Sequence, residues 1–250
     1  MRRPRPLRTD AAAAVGPPGS RRLSASVVIP TLNDGDRLAR CLAPLASGPR
    51  RGLNLEVLVV DGGSTDDTAT IAEAHGARVL AQPGPRGARF ATGAKAAIGE
   101  WLILLRPETA LEPGWDATLM VFASEERNRE RGAVYSFTVE ADAVDQAAAR
   151  RAQRWMRIRN RWLGLPSGAQ GMVIRRRFLV HLGGIPPLDW GEDLVLARRL
   201  GLGRLSLFDV GARVRLADRP YGLTARFLGA LRLMLFLLRV PPRWLRHLGG

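Results

Sequence analysis

The feature that most constrains the fold is a series of short, almost wholly apolar runs separated by segments with helical spacing. The runs occupy residues 26–30, 55–60, 77–81 and 101–105. Runs of this length are typical of strands buried on both faces of a parallel sheet. Helices are expected between them, over 67–75 and 88–98, with another after Pro113. This alternation predicts an α/β fold with a doubly wound, mostly parallel sheet flanked by helices.

A doubly wound sheet binds its ligands beyond the carboxyl ends of its strands. In this sequence that rule selects the loops at 30–36, 61–67 and 105–109. The most informative of them lies in Val-Val-Asp-Gly-Gly-Ser-Thr-Asp-Asp-Thr, residues 59–68. The glycines allow a tight turn, and Asp61 stands where it can accept hydrogen bonds from a base or a ribose. The alternative is a strand–turn–helix junction with a capping carboxylate.

The second half is more helical and supports a division into three segments. A long helix is expected over 143–163, short strands over 172–174 and 205–208, and a helix from Glu192. The predicted segments are a disordered basic arm at 1–23, one α/β domain at 24–218, and basic amphipathic helices at 219–250. Pro241 and Pro242 interrupt this helical C-terminal extension.

The chain is strongly basic, with a formal net charge of +15. Arginine-biased composition explains part of this, and attraction to nucleotide phosphates, acidic lipid headgroups or nucleic acid would explain the rest. No nucleic-acid-binding module is recognisable, which argues against the last of these. The single cysteine, Cys41, excludes an intrachain disulfide and favours a reducing compartment. With no secretory signal and no apolar run long enough to span a bilayer, a cytoplasmic location is expected.

The helix at 143–163 carries an apolar stripe among its arginines, formed by Trp155, Ile158 and Trp162. The favoured interpretation is a stripe that faces the core, with a solvated basic face. The alternative is an interfacial helix on anionic lipid at the inner face of the cell membrane. The arginine- and leucine-rich stretch at 221–248 supports the alternative, which would suit a lipid-linked acceptor.

Motifs along almost the whole chain resemble one enzyme family. The opening pair is Ile-Pro-Thr-Leu-Asn at 29–33 and Val-Val-Asp-Gly-Gly-Ser-Thr-Asp at 59–66. Then follow Gly-Leu-Pro at 164, Gln-Gly at 170, Arg-Arg at 175, Leu-Gly-Gly at 182, Glu-Asp at 192 and Val-Pro-Pro at 240. Over about residues 25–248 the chain resembles family 2 glycosyltransferases, in particular the bacterial radical-SAM/selenodomain-associated subgroup.

The resemblance implies a GT-A fold that takes a nucleotide-diphosphate sugar and a divalent cation, Mg²⁺ or Mn²⁺, and transfers the sugar to a hydroxyl acceptor with inversion. Asp61 would contact the nucleoside base, and Asp193 would be the general base, beside its neighbour Glu192. Arg86 and Arg106 would contact the diphosphate. The nucleotide pocket would also include Pro30, Thr31, Asn33, Asp34, Gly62 and Ser64.

Several positions depart from the family pattern. The His-Ala-Asp expected after the fourth strand is Arg106-Pro107-Glu108. Either Glu108 still holds the metal, or Arg106 itself neutralises the diphosphate, or the site has decayed. Arg89 and Ala91 replace the family's Gln and Asn, and Ala169 replaces an Asp. Arg89, like Arg86, could still contact the diphosphate. The alternative function is therefore a catalytically decayed homologue that acts as a binding or membrane-associated scaffold.

Overall fold

The structure, a computed structural model, describes residues 6–7, 23–140, 146–215, 231–238, 240 and 244. The strands are β1 (Pro6–Leu7), β2 (Ser24–Thr31), β3 (Asn54–Asp61), β4 (Arg78–Ala81), β5 (Trp101–Leu104), β6 (Thr109–Leu111), β7 (Gly132–Glu140), β8 (Met172–Arg175) and β9 (Leu205–Arg215). The α-helices are α1 (Gly35–Leu42), α2 (Ser47–Arg50), α3 (Thr68–Ala74), α4 (Arg86–Ala96), α5 (Trp115–Ser124), α6 (Gln146–Leu163), α7 (Arg176–His181) and α8 (Glu192–Leu200).

One curled sheet runs in the order β1-β9-β7-β8-β5-β2-β3-β4, and β6 also pairs with β9. Strands β2 to β5 are parallel to their neighbours within that group, and β7 is parallel to β9. Strand β8 runs antiparallel to both β5 and β7 and so joins the two halves of the sheet. The predicted α/β fold with a mostly parallel sheet is confirmed.

The apolar runs become central strands because helices cover both faces of the sheet. Val27 and Ile29 belong to one core cluster, which α1 and α5 cover with residues such as Leu38 and Phe122. Val28, between them, belongs to the opposite cluster, covered by α4 and α8. Alternate residues of β2 are thus buried on opposite sides, which is why the run lacks polar alternation.

The predicted strands all form, with ends shifted by a few residues, but part of the sheet was missed. Strands β6 and β7 and helix α7 were not predicted, and β9 extends to Arg215 rather than ending at Phe208. The side chain of Cys41 is fully buried in the core. Burial raises the pKa of this thiol well above its usual range.

The favoured interpretation of the arginine-rich helix is wrong. Trp155, Ile158 and Trp162 are 54%, 43% and 62% exposed. The face of α6 that packs inward instead carries Ala149, Met156 and Asn160. Met156 lies in a small cluster with Phe137 of β7, Ala169 and Val214. The apolar stripe therefore faces outward, beside the exposed arginines.

Both predicted terminal segments lie mostly outside the described residues. Within the arm, Pro6 and Leu7 depart from the predicted disorder and pair with Leu207 and Phe208 of β9. In the C-terminal segment, residues 231–238 are described as largely helical, and Phe236 is buried in the core cluster beneath α4 and α8. Among the residues that the structure describes, no helix combines the length and apolarity needed to cross a membrane.

Candidate active site

The carboxyl ends of β2, β3 and β5 meet at one edge of the sheet, as their parallel pairing requires. The loops that follow them carry most of the residues predicted to bind a ligand. Pro30 is buried in β2 opposite Val60, and β5 pairs with β2 only as far as Val28. A proline is tolerated there because its missing N–H falls near the end of the pairing.

Asp61, the last residue of β3, organises the loop that follows it. Its Oδ1 accepts hydrogen bonds from the hydroxyls of Thr31 at 3.0 Å and Ser64 at 2.5 Å. Its Oδ2 accepts from the backbone N–H groups of Gly63 at 2.9 Å and Ser64 at 2.7 Å. Burial would raise the pKa of Asp61, but these hydrogen bonds outweigh it and lower the pKa. Asp61 thus holds an ionised carboxylate at the strand end.

Asn33 fastens the loop after β2 to the loop after β3. Its backbone N–H donates to Ser64 Oγ at 2.8 Å, and its Oδ1 accepts from the N–H of Thr65 at 2.8 Å. Its φ of 54° lies in the left-handed region, which asparagine tolerates better than most residues. The N–H of Gly62 adds a hydrogen bond to the carbonyl of Thr31 at 2.9 Å. The predicted pocket residues therefore form one network, which we call the loop network.

Asp34, the residue just before α1, also belongs to the loop network. Its carboxylate accepts from the N–H of Leu32 at 3.0 Å, and its own N–H donates to Thr68 Oγ1 at 3.0 Å. Burial raises the pKa of Asp34, and the nearby charge of Glu108 acts in the same direction. The loop after β5 lies close to α1, because the Sγ of Cys41 is 3.6 Å from the carbonyl oxygen of Arg106.

A second group of residues, which we call the arginine–carboxylate cluster, lies where α4, α8 and the loop after β5 meet. Arg86 binds Glu192 through two hydrogen bonds, Nε to Oε1 at 2.7 Å and Nη2 to Oε2 at 3.0 Å. Arg106 Nη2 lies 3.3 Å from Glu192 and 3.3 Å from Asp193. The side chain of Glu192 is only 3% exposed. The structure thus brings together both predicted diphosphate arginines and the predicted catalytic acids.

Asp193 is the second residue of α8 and receives donors on both oxygens. Its Oδ2 accepts from the N–H of Gly168 at 2.6 Å, besides Arg106, and its Oδ1 accepts from the N–H of Leu194 at 2.9 Å. An apolar pocket adjoins this acid. Its walls include Phe90, Leu104, Val134, Met172, Ile185 and Leu196. Apolar walls keep the effective dielectric low and strengthen the charge interactions of the cluster.

The fit of a divalent cation at Glu108 can be judged from the groups around that residue. Arg106 Nη1 lies 3.9 Å from Glu108 Oε1, so a fixed positive charge stands beside the expected ligand. Burial alone would lower the pKa of Arg106, but the charges of Asp193, Glu192 and Glu108 outweigh it and raise the pKa. Within the described ranges, no group of three or more His, Cys, Asp or Glu side chains is arranged to hold a metal ion. These residues do not fit a metal in the present arrangement.

Arg89, which the sequence suggested beside Arg86 as a further diphosphate contact, lies in the site. Its guanidinium is buried, donates from Nη1 to the carbonyl of Gly84 at 2.8 Å, and covers Gly62. A Cβ added at Gly62 would meet Nη1 of Arg89 at 2.5 Å. Burial and the charge of Arg86 lower the pKa of Arg89. Its position three residues after Arg86, on the helix that follows β4, is what points to it in the sequence.

The replaced residue Ala169 lies outside the candidate site. Its side chain is fully buried in the cluster with Phe137, Met156 and Val214. The next residue, Gln170, is also buried and holds the loop in place. It accepts from the N–H of Ser167 at 2.9 Å and donates to the carbonyl of Tyr135 at 2.8 Å. Alanine at 169 is thus a packing residue beneath α6.

Sequence comparisons identify relatives of this chain. A model of the family described as Glycosyl transferase family 2 matches residues 26–180. Uncharacterized glycosyltransferases of Mycobacterium bovis and Mycobacterium tuberculosis H37Rv are each 37% identical over 90 residues. Those residues are 36% of this chain and 38% of each relative, so the match spans well under half of the relatives' length.

Solved structures share the fold over most of the chain. Glucosyl-3-phosphoglycerate synthase of M. tuberculosis gives a TM-score of 0.60 at 21% identity, covering 88% of this chain and 82% of that one. Its complex with Mg²⁺ and uridine diphosphate gives 0.61 at 21%, covering 88% and 80%. Mannosyl-3-phosphoglycerate synthase of Rubrobacter xylanophilus gives 0.58 at 17%, covering 87% and 76%. At these identities the likeness concerns the fold.

Proposed function

The chain belongs to glycosyl transferase family 2, and from that premise we propose that it transfers a sugar from a nucleotide-diphosphate donor to a hydroxyl acceptor. The observation that carries the proposal is that α4 joins the loop network, at the carboxyl ends of β2 and β3, to the arginine–carboxylate cluster: its Arg89 lies over Gly62 and its Arg86 binds Glu192. Open α/β sheets bind nucleotides at such an edge. The membership in the radical-SAM-associated subgroup stays a prediction.

The nucleoside would bind between the loops at 30–36 and 61–67. All the lone-pair positions of Asp61 are occupied by donors within the network. A base or ribose would therefore contact Asp61 by displacing one of these donors, and the Ser64 hydroxyl can turn away most easily. Thr31, Asn33 and Asp34 would shape the pocket, and Arg86 and Arg106 lie on the side where the diphosphate would follow.

The transfer would be a single displacement with inversion. The Asp193 carboxylate takes the proton of the acceptor hydroxyl, and the acceptor oxygen forms a bond to the anomeric carbon from the face opposite the diphosphate. The bond from that carbon to the diphosphate oxygen breaks, and the nucleoside diphosphate leaves with the electron pair. Glu192, which is buried and bound to both Arg86 and Arg106, acts as a positioning residue.

The test is a donor and acceptor screen with the full chain. Uridine- and guanosine-diphosphate sugars would be combined first with glycerol 3-phosphate and phosphoglyceric acid, which appear in the complexes of the solved relatives. We expect release of nucleoside diphosphate and a product of inverted anomeric configuration by NMR. Asp193→Asn should lower the rate at least about a hundredfold, the scale of general-base catalysis. A retained configuration would refute the proposed displacement.

One observation favours a catalytically inactive homologue as the second candidate. Both oxygens of Asp193 already accept hydrogen bonds, and one of them also lies against Arg106. A base held in this way must exchange a partner before it can take a proton. Binding of a nucleotide without turnover of any donor in the screen would favour this function over transfer.

We also propose that the chain attaches peripherally to anionic membranes through α6, where a lipid-linked acceptor would be found. Trp155 and Ile158 are exposed on this helix, and residues 146–163 contain six arginines and no acidic residue. Exposed tryptophan beside arginine suits the boundary between headgroups and acyl chains. A cytoplasmic location stays a prediction.

Sedimentation with vesicles would test the attachment. The chain should pellet with phosphatidylserine-containing vesicles and much less with phosphatidylcholine alone. The double variant Trp155→Ser with Ile158→Ser should lose most of this binding, and the matched control Val180→Ser, at another exposed apolar residue, should not. Equal sedimentation with both lipids, or no loss in the double variant, would contradict the proposal.

A further inference from the structure

Three carboxylates converge on the guanidinium of Arg106. Glu192 and Asp193 each lie 3.3 Å from Nη2, and Glu108 lies 3.9 Å from Nη1. Glu108 lies in the loop after β5, and the other two lie in the first turn of α8. Carboxylates from two distant segments therefore surround one guanidinium. Carboxylates that could otherwise attract a divalent cation are here in contact with a guanidinium.

The guanidinium is held between these carboxylates by the backbone around it. Its side chain is 17% exposed. A Cβ added at Gly168 would overlap Nε, Nη2 and Cζ of Arg106, so only glycine leaves room for the arginine in this position. The same Gly168 donates its N–H to Asp193. The site is therefore shaped for the arginine, and the side chain is not a mobile surface group.

Two buried arginines leave donors unused at this edge of the sheet. In the described part of the chain, neither the Nε of Arg106 nor the Nε of Arg89 has a hydrogen-bond partner. A buried donor without an acceptor is unfavourable. The oxygens of a phosphate would satisfy the donor of Arg89. Because Gly168 lies against Nε and Nη2 of Arg106, that arginine would meet a phosphate through Nη1.

We infer that Arg106 takes the charge-neutralising place of a divalent cation, so that a nucleoside diphosphate binds this chain without a metal ion. The inference rests on the proposed function and names how the same site meets the diphosphate. A divalent cation at Glu108 would be repelled by the guanidinium beside it. Arg89, which lies over Gly62, would supply further donors to the same group.

Calorimetric titration with uridine diphosphate and guanosine diphosphate tests the inference, each with EDTA and with Mn²⁺. We expect the wild-type chain to bind at least one of them with affinities that agree within about threefold in the two conditions. Arg106→Ala should weaken binding at least about tenfold in EDTA, since a hydrogen bond to a charged group is lost. Mn²⁺ should restore part of that loss, because the guanidinium that would repel the ion is gone and Glu108 and Asp193 have lost their contact with it.

Two further variants distinguish the loss of the Arg106 charge from a nonspecific effect of removing an arginine. Arg106→Lys keeps the positive charge and should retain metal-free binding better than Arg106→Ala. Arg213→Ala removes an arginine from an ion pair with Glu112 on the β6–β9 side and should bind like the wild type. The wild-type comparison with and without Mn²⁺ needs no variant, so a failure of Arg106→Ala to fold leaves the test intact.

The outcomes distinguish the two proposals. Wild-type binding only in Mn²⁺, or unchanged metal-free binding in Arg106→Ala, would overturn this inference and leave the proposed glycosyl transfer standing. Binding of neither nucleotide in any condition, by a chain that unfolds cooperatively, would count against the proposed function for these donors and against the inference with it.

Discussion

The loop network and the arginine–carboxylate cluster lie at the same edge of the sheet but are held together in different ways. In the loop network, Asp61 receives donors mainly from Gly63 and Ser64, its near neighbours in sequence. In the cluster, Arg86 and Glu192 are 106 residues apart. The loop network is built largely from a local turn at the end of β3, next to β2. The arginine–carboxylate cluster forms only when α4, α8 and the loop after β5 pack together.

This difference predicts different energetic behaviour. Hydrogen bonds from hydroxyl and backbone groups each contribute modestly, and exposed ones can be replaced by water. Buried charges that lose a partner are much more costly, because the remaining charge stays away from water. Substitutions in the cluster should therefore destabilise the whole fold, and substitutions in the loop network should alter the site with smaller effects on stability.

The largest effect is expected for Glu192→Gln. This change removes the counter-charge that Arg86 has among the described residues and one of those around Arg106. It should lower the free energy of unfolding by about 3–5 kcal/mol. Urea denaturation would measure it. The matched control is Glu140→Gln, whose ion pair with Arg215 is about half exposed and should contribute less than about 1 kcal/mol. Similar losses in the two variants would break the comparison.

An intermediate effect is expected for Gly168→Ala. The added methyl group overlaps Arg106, which is anchored by carboxylates, so the cost should be about 1–3 kcal/mol. Gly62→Ala meets Nη1 of Arg89 and should cost less, because that group is held by a backbone carbonyl and not by carboxylates. Gly203→Ala, with no atom within 4 Å of the new carbon, is the control. A larger loss at Gly62 than at Gly168 would contradict the rigid role of Arg106.

The smallest effect is the pH dependence carried by Asp61. Its pKa is lowered in the folded state, so its stabilising contribution is present above the pKa of the unfolded chain and is lost as pH falls through the folded value. The stability difference between wild type and Asp61→Asn should shrink as pH falls from about 5 to about 3. Urea denaturation at several pH values would show it. A constant difference would indicate that Asp61 acts without its charge.

Features encoded within a few neighbouring residues were predictable. The strands around β2 and β3 follow from apolar runs buried on both faces, and the turn at Asp61 follows from its glycines and serine. Strand β7 was missed because polar residues such as Ser136 and Thr138 interrupt its apolar run. Its length and its position beside β8 depend on pairing partners far away in sequence.

Features that depend on which helix face is covered were not predictable. The spacing of Trp155, Ile158 and Trp162 marks one face of α6, but a period cannot say whether that face turns inward. The covered face uses small or flexible residues, Ala149 and Met156, which stand out less in a sequence. Similarly, the residues near Arg106 in the sequence do not indicate that Gly168 and Glu192 lie beside it in the fold. Only the tertiary fold brings these groups together.

The antiparallel strand β8 has a consequence for how the chain is made. In the sheet that the described residues form, it closes the apolar edge of β5, yet it follows β5 by about 70 residues. At a synthesis rate of about 5–20 residues per second, that edge stays open for several seconds on the ribosome. An unpaired apolar edge invites association with other chains. The nascent first half should therefore depend on chaperones until Met172–Arg175 has emerged from the ribosome.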